Sequence, residues 1–146
     1  MNDEFQTEDD FPTPELMVIT PNPQSSVQII DKDENTADAS EITMPSSRHF
    51  RDAWSLSADV ITEDIEAARA IFKDKIREVR KPLLEAEDAV FMKALETDDE
   101  TAKAASAVKK NNLRDAPAAS AISSATTIDE LKAAWDSDLL GDNPYA

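Results

Sequence analysis

Cysteine is absent, and glycine and histidine each occur once in 146 residues. Without cysteine there is neither a disulfide framework nor a thiolate metal site. Gly141 alone cannot build a Walker or dinucleotide loop, which needs several positions where backbone approaches a phosphate unobstructed. His49 alone cannot supply the several nitrogen or sulfur ligands of a zinc centre. No Gly-x-Ser-x-Gly elbow accompanies it, so a structural or interface role for His49 outweighs a catalytic one. Bases are scarce as well: 15 against 31 acids, a net charge of −16. That charge repels phosphate backbones and anionic lipid, so neither nucleic acid nor membrane is an expected partner. A DNA-mimicking inhibitor of a DNA-binding enzyme is a weaker reading, because acids and bases interleave along the helical segments. No apolar run approaches the ~20 residues of a membrane span, and the acidic first ten residues lack the pattern of a secretory leader. A soluble chain without a cleaved leader is expected, in keeping with a reducing cytoplasm.

What is present divides the chain into parts. Residues 1–46 carry eleven acids, the single base Lys32, and five of the eight prolines. Prolines at this density forbid a long helix. Residues 1–15 read as an acidic extended arm with Phe5 and Phe11 as anchors. Residues 16–61 read as a small β region and junction, with short strands expected at 16–20, 27–30, 41–44 and 59–61. The helical region is expected over residues 62–136. Thr62 is an N-cap candidate, followed by Glu63 and Asp64 where the helix dipole favours acids. The apolar stripe Ile65, Ala68, Phe72, Ile76, Val79, Leu83, Ala86, Val90 keeps helical phase across Pro82, so one long, kinked or slightly broken helix is expected. Its cations, from Arg69 to Lys81, read as a solvated mixed-charge face. Asp98, Asp99 and Glu100 stop this helix and start another over about 99–114, alanine-rich, with Ala102, Ala105, Val108 and Leu113 inward. A short helix is expected near 117–125, then one opened by the capping box Thr127–Glu130 and carrying Ile128, Leu131, Ala134 and Trp135. Residues 137–146 read as a polar tail with Leu139, Leu140 and Tyr145 as contacts. The fold class is α+β: a small N-terminal extended/β region, then a long helix forming a helical hairpin with short C-terminal helices.

Two acidic motifs are weighed as sites and set aside. Asp31-Lys32-Asp33-Glu34-Asn35 opens like a calcium loop, but Thr36 stands where glycine is needed and Ile42 where the closing glutamate is needed. Asp98, Asp99 and Glu100 are explained by helix capping without acid–base catalysis. The cluster Arg48, Phe50, Arg51, Trp54 carries more, because arginine and tryptophan concentrate in the energetic centres of protein interfaces. Core packing of Phe50 and Trp54 is the stronger alternative, and the two readings are compatible. Phe5, Phe11, Arg48, Phe50, Arg51 and Trp54 are the candidate interface residues; no catalytic residue, metal ligand or cofactor is expected.

The run Pro45-Ser46-Ser47-Arg48-His49-Phe50-Arg51-Asp52-Ala53-Trp54 resembles a P-x-x-R-x-F-R-x-A-W segment of bacteriophage tail-region proteins. The likeness continues through Ala68-Arg69-Ala70-Ile71, Asp74-Lys75-Ile76-Arg77, Phe91-Met92-Lys93-Ala94-Leu95-Glu96, Leu113-Arg114-Asp115 and the ending from Thr127 to Trp135. It covers about 45–140. The resemblance implies a structural component of the virion tail, fibre or baseplate, assembled in the host cytoplasm, without catalytic residues. Other phage tail proteins would be its partners, and a homo-oligomer is compatible with the long helix. The alternative is a non-virion chaperone of tail or fibre assembly.

Overall fold

The structure is a computed structural model that describes residues 28–31 and 33–146. Residues 1–15, with Phe5 and Phe11, and the expected strand at 16–20 lie outside the described residues. The chain forms two units. The first holds the described residues up to Met44 together with Ser55–Thr62; the second holds Pro45–Trp54 and Glu63–Ala146. The class is α+β, with two small antiparallel sheets and a helical hairpin followed by short helices.

In the first unit, strands β1 (Gln28–Ile30) and β2 (Thr36–Asp38) pair antiparallel, Ile29 opposite Ala37. Asp31 closes the connection between them. Its carboxylate accepts from the backbone N–H of Asp33 and Asn35, each at 2.9 Å, from the Asn35 side chain at 3.0 Å, and from the Leu56 N–H at 3.2 Å. The acid that looked like the first calcium ligand is thus engaged with backbone amides. The strand expected at 41–44 is reduced to one bridge, Thr43 to Val60, because Pro45 ends the run.

A hairpin of β3 (Trp54–Ser57) and β4 (Val60–Glu63) turns through Ala58, held at φ 55. Ser55 and Thr62 meet across it at 3.3 Å. Thr62 is therefore a strand residue, and the helix begins later than its candidate cap suggested. The β-branched Val60-Ile61-Thr62 pairs with the preceding strand, and Asp64 takes over as N-cap, accepting from Glu66 and Ala67.

Helix α1 (Ile65–Glu96) runs unbroken through Pro82 for 32 residues, about 48 Å. It ends in a Schellman turn: Asp98 N–H donates to Leu95 and Asp99 N–H to Ala94, with Asp98 at φ 54. Asp99 then caps α2 (Glu100–Asp115), which folds back along the C-terminal half of α1. Ser106 Oγ donates to the Glu87 carbonyl at 3.2 Å, and Lys109 and Lys110 meet Glu87 and Asp88 at 3.7 and 2.5 Å. The small residues of α2 allow this close approach.

The buried stripe departs from expectation beyond Leu83. Ala86 and Val90 are exposed, while Glu87 and Ala94 are buried. On α2, Ser106 and Leu113 are buried and Ala105 and Val108 exposed. The seam is rotated by one position on each helix because it carries Glu87 and Ser106, side chains that a hydrophobic pattern assigns to solvent. Nor is the α1 basic face wholly solvated. Arg80 donates to the carbonyls of Leu113 and Arg114, closing the α2 C-terminus, and Arg69 donates to the Ala125 carbonyl.

A 3-10 turn (Ala116–Ala118) leads to α3 (Ser120–Ser124), α4 (Ile128–Ala133) and α5 (Ser137–Leu140). Thr127 caps α4 by accepting from Glu130 N–H, while the Glu130 carboxylate reaches Thr126 N–H instead of closing a box on Thr127. The tail expected to be polar supplies core: Leu140 is 5% and Tyr145 8% exposed.

Two outcomes follow. Asp98 occupies the left-handed C′ position, where glycine avoids a steric cost of ~1–2 kcal/mol; its exposed carboxylate, between the C-terminus of α1 and the N-terminus of α2 and 3.8 Å from Lys103, offsets little of that. Asp98→Gly should raise stability by about 0.5–1 kcal/mol in urea unfolding. The second concerns Asp31 on acidification. The Asn35 side-chain amide, above all, holds its carboxyl at about 2 instead of 3.8; partial burial works against this, and the Asn35, Leu56 and Asp33 N–H groups reinforce it. Its contribution is complete above the unfolded value and disappears as pH falls through the folded one. The Leu56 amide resonance should therefore titrate near pH 2; a midpoint near 3.8 would contradict the bonding described.

Candidate functional site

Residues 45–54 start from Pro45 and reach the 3-10 turn Arg51–Ala53. Phe50 N-caps that turn, and its carbonyl accepts from Ala53 N–H at 2.8 Å. Ser47 Oγ accepts from Lys132 Nζ at 3.2 Å, fixing the start of the segment to α4. Asp64 N–H donates to the Ala53 carbonyl at 2.9 Å, fixing its end to the start of α1.

Between these ties Phe50 enters the core, 1% exposed. It stacks on Tyr145 at 4.8 Å and lies 6.5 Å from Phe72 between ring centroids. Ala53 is buried beside it. Arg48 and Arg51 are exposed, and among the described residues neither guanidinium has a hydrogen-bond or ion-pair partner. His49 is also exposed, its ring meeting the Tyr145 edge at 5.5 Å. Trp54 is half-buried. Its indole N–H and one Glu63 carboxylate oxygen are buried without partners among the described residues. The candidate residues therefore separate: Phe50 faces inward, Arg48 and Arg51 outward, Trp54 between.

This gives the segment one capacity: presenting two cations on a turn that aromatic packing holds rigid. Elsewhere in the second unit an open depression of about 590 Å³ is lined by Ile76, Leu139 and Leu140 with Lys109, Asp115 and Asp138. None of the described candidate interface residues, Arg48, Phe50, Arg51 and Trp54, lines it. Among the described residues no group of three or more histidine, cysteine or acidic side chains is arranged to hold a metal ion. No helix of the described residues is long and apolar enough to cross a membrane. Sequence reasoning missed Tyr145 as the centre of the ring cluster; its place in a polar ending of two leucines and one tyrosine was the only signal.

No family model, no curated protein and no solved structure matches the chain.

The division of the segment is measurable. Phe50→Ala should cost about 3–5 kcal/mol of stability, the range for emptying an aromatic core site. Arg48→Ala and Arg51→Ala should stay within about 0.5 kcal/mol of the parent. Denaturant unfolding of the three variants gives the comparison; an arginine variant as damaging as Phe50→Ala would show that the guanidinium has a folding role.

Proposed function

We propose that the chain is a structural component of a phage tail, in the tail, fibre or baseplate, acting through protein–protein contacts and without a reacting group of its own. The observation that carries this reading is the way the R-x-F-R-x-A-W run divides. Phe50 and Ala53 are core, which accounts for the apolar letters of the run. Arg48 and Arg51 are exposed and unpaired within the described residues, so packing does not account for them. An arginine held on a rigid turn loses little entropy when it meets a carboxylate, and its planar fork binds such a partner bidentately. A neighbouring tail protein, or another copy of this chain, that presents an acidic surface fits these two groups. In a chain of net charge −16, two unpaired cations side by side also orient such an encounter.

Mass spectrometry of purified particles tests the proposal. The chain should be present at a fixed copy number; its absence would favour a transient assembly chaperone. The double variant Arg48→Glu, Arg51→Glu should fold with unchanged helix content yet incorporate at least tenfold less. Removal of residues 1–15 asks the same of Phe5 and Phe11. Full incorporation of the arginine variant would remove the interface role from this segment.

A further inference from the structure

Gly141, the only glycine in the chain, is where the backbone leaves α5. Its φ of 86 and ψ of −162 form a conformation that essentially only glycine adopts. No atom lies within 4 Å of the place a Cβ would occupy, so glycine is needed there for its backbone freedom and not for space. The following residues make a turn of their own. Tyr145 N–H donates to Asn143 Oδ1 at 2.9 Å, Ala146 N–H donates to the Asn143 carbonyl at 3.2 Å, and Pro144 fixes φ between them.

This turn meets the rest of the second unit through few polar contacts. Trp135 Nε1 donates to the Gly141 carbonyl at 2.9 Å, and Asn143 Nδ2 donates to the Lys132 carbonyl at 3.0 Å, while the Gly141 N–H stays with α5, donating to the Ser137 carbonyl at 3.0 Å. The apolar contact is one ring. Tyr145 stands 4.8 Å from Phe50, 5.3 Å from Phe72 and 6.1 Å from Trp135, centroid to centroid. A self-made turn, a pair of backbone-directed hydrogen bonds and a single aromatic anchor in a pocket is the anatomy of a bound peptide. The α1–α2 seam, with its own clamps at Glu87, Ser106 and Arg80, makes no use of it.

We propose that residues 141–146 are a separable plug, that Phe50, Phe72 and Trp135 form its socket, and that the same segment of a second copy fills this socket equally well. The occupant is specified by the fit already present: no other ligand has its turn, anchor and hydrogen bonds laid out. Exchange between copies replaces each contact by an identical one, so its free-energy cost is limited to association. The tethered plug holds the socket at an effective concentration on the order of 1 mM, and copies crowded to that level in an assembly exchange plugs. Burial, and secondarily the charge of Glu78, pushes the Tyr145 phenol above its usual range, in keeping with a ring seated among other rings. The inference needs only the chain itself and stands apart from the tail reading.

The test uses the full chain with Tyr145→Ala and a synthetic peptide of residues 141–146. The probe is the Trp135 indole N–H resonance, whose acceptor is the Gly141 carbonyl. In the variant, the peptide should shift this resonance saturably with a midpoint of about 0.1 mM or lower, at least tenfold under the effective concentration of the tethered plug. The same peptide with alanine for tyrosine should leave it unmoved, and the unaltered chain should respond at least tenfold more weakly. A folded variant that ignores the peptide, or an unaltered chain that responds equally, overturns the proposal. Should Tyr145→Ala unfold the chain, far-UV circular dichroism decides: recovery of helix on adding the peptide supports the socket, and no recovery overturns it.

Discussion

Helix α1 is about 48 Å long and α2, with 16 residues, about 24 Å, so α2 covers only half of it. The uncovered half carries Ala68, Phe72 and Ile76, each at most 1% exposed in the folded chain. Burying a side chain such as Phe72 stabilises by about 1.5–3 kcal/mol relative to leaving it in water, and something other than α2 must supply the cover. Phe50 comes from before α1; Ile122, Leu131, Trp135, Leu140 and Tyr145 come from after α2. The requirement to cover Phe72 therefore brings together parts of the chain more than ninety positions apart in sequence.

The same requirement explains why helices as short as α3, α4 and α5, of 5, 6 and 4 residues, persist. Segments this short have no stability of their own in water, since nucleation costs more than so few hydrogen bonds return. Each is held by one buried side chain: Ile122, Leu131 and Leu140 respectively. Caps at Thr127 and Asp136 and the Arg69 bond to the Ala125 carbonyl satisfy backbone groups that packing alone would leave open. Arginines of α1 thus do for the later segments what caps do within a helix.

Periodicity made α1 legible because its N-terminal half buries only apolar side chains, and helical phase survived Pro82 as the stripe required. Beyond Leu83 the seam includes Glu87, 7% exposed and facing Lys109, and against it Ser106, 3% exposed. Both are invisible to a rule that equates burial with hydrophobicity, and the pattern accordingly slipped to Ala86, Val90, Ala105 and Val108. The hairpin of β3 and β4 was only half legible. Val60 and Ile61 signalled a strand, but Trp54 read as the end of the junction and Ser55-Leu56-Ser57 were assigned no strand, and the turn between them contains neither Gly nor Asn, with Ala58 at positive φ instead. The candidate interface segment, Arg48 to Trp54, was chosen from residue types alone. Its inward and outward halves needed Tyr145, whose approach to Phe50 is a tertiary fact.

The exposed apolar side chains of the two long helices and the cations of the junction differ in how they are held. Val90, Met92, Leu95 and Val108 are each about half exposed, at 48, 53, 49 and 59%. At about 100° per residue, Val90 lies to one side of the α1 seam and Leu95 to the other, with Met92 farther round. Val108 projects from the outer side of α2, opposite Ser106. Met92 and Leu95 are i,i+3 neighbours while Val90 and Val108 stand apart from them, and exposed apolar side chains in such small numbers are ordinary. Arg48 and Arg51 differ in kind. They project from one short turn whose Phe50 is locked among other rings, so the entropy of positioning the backbone beneath them has already been lost in folding. Under the proposed tail reading, a carboxylate partner would need only to order two side chains, which is the physical reason that reading is placed on this turn.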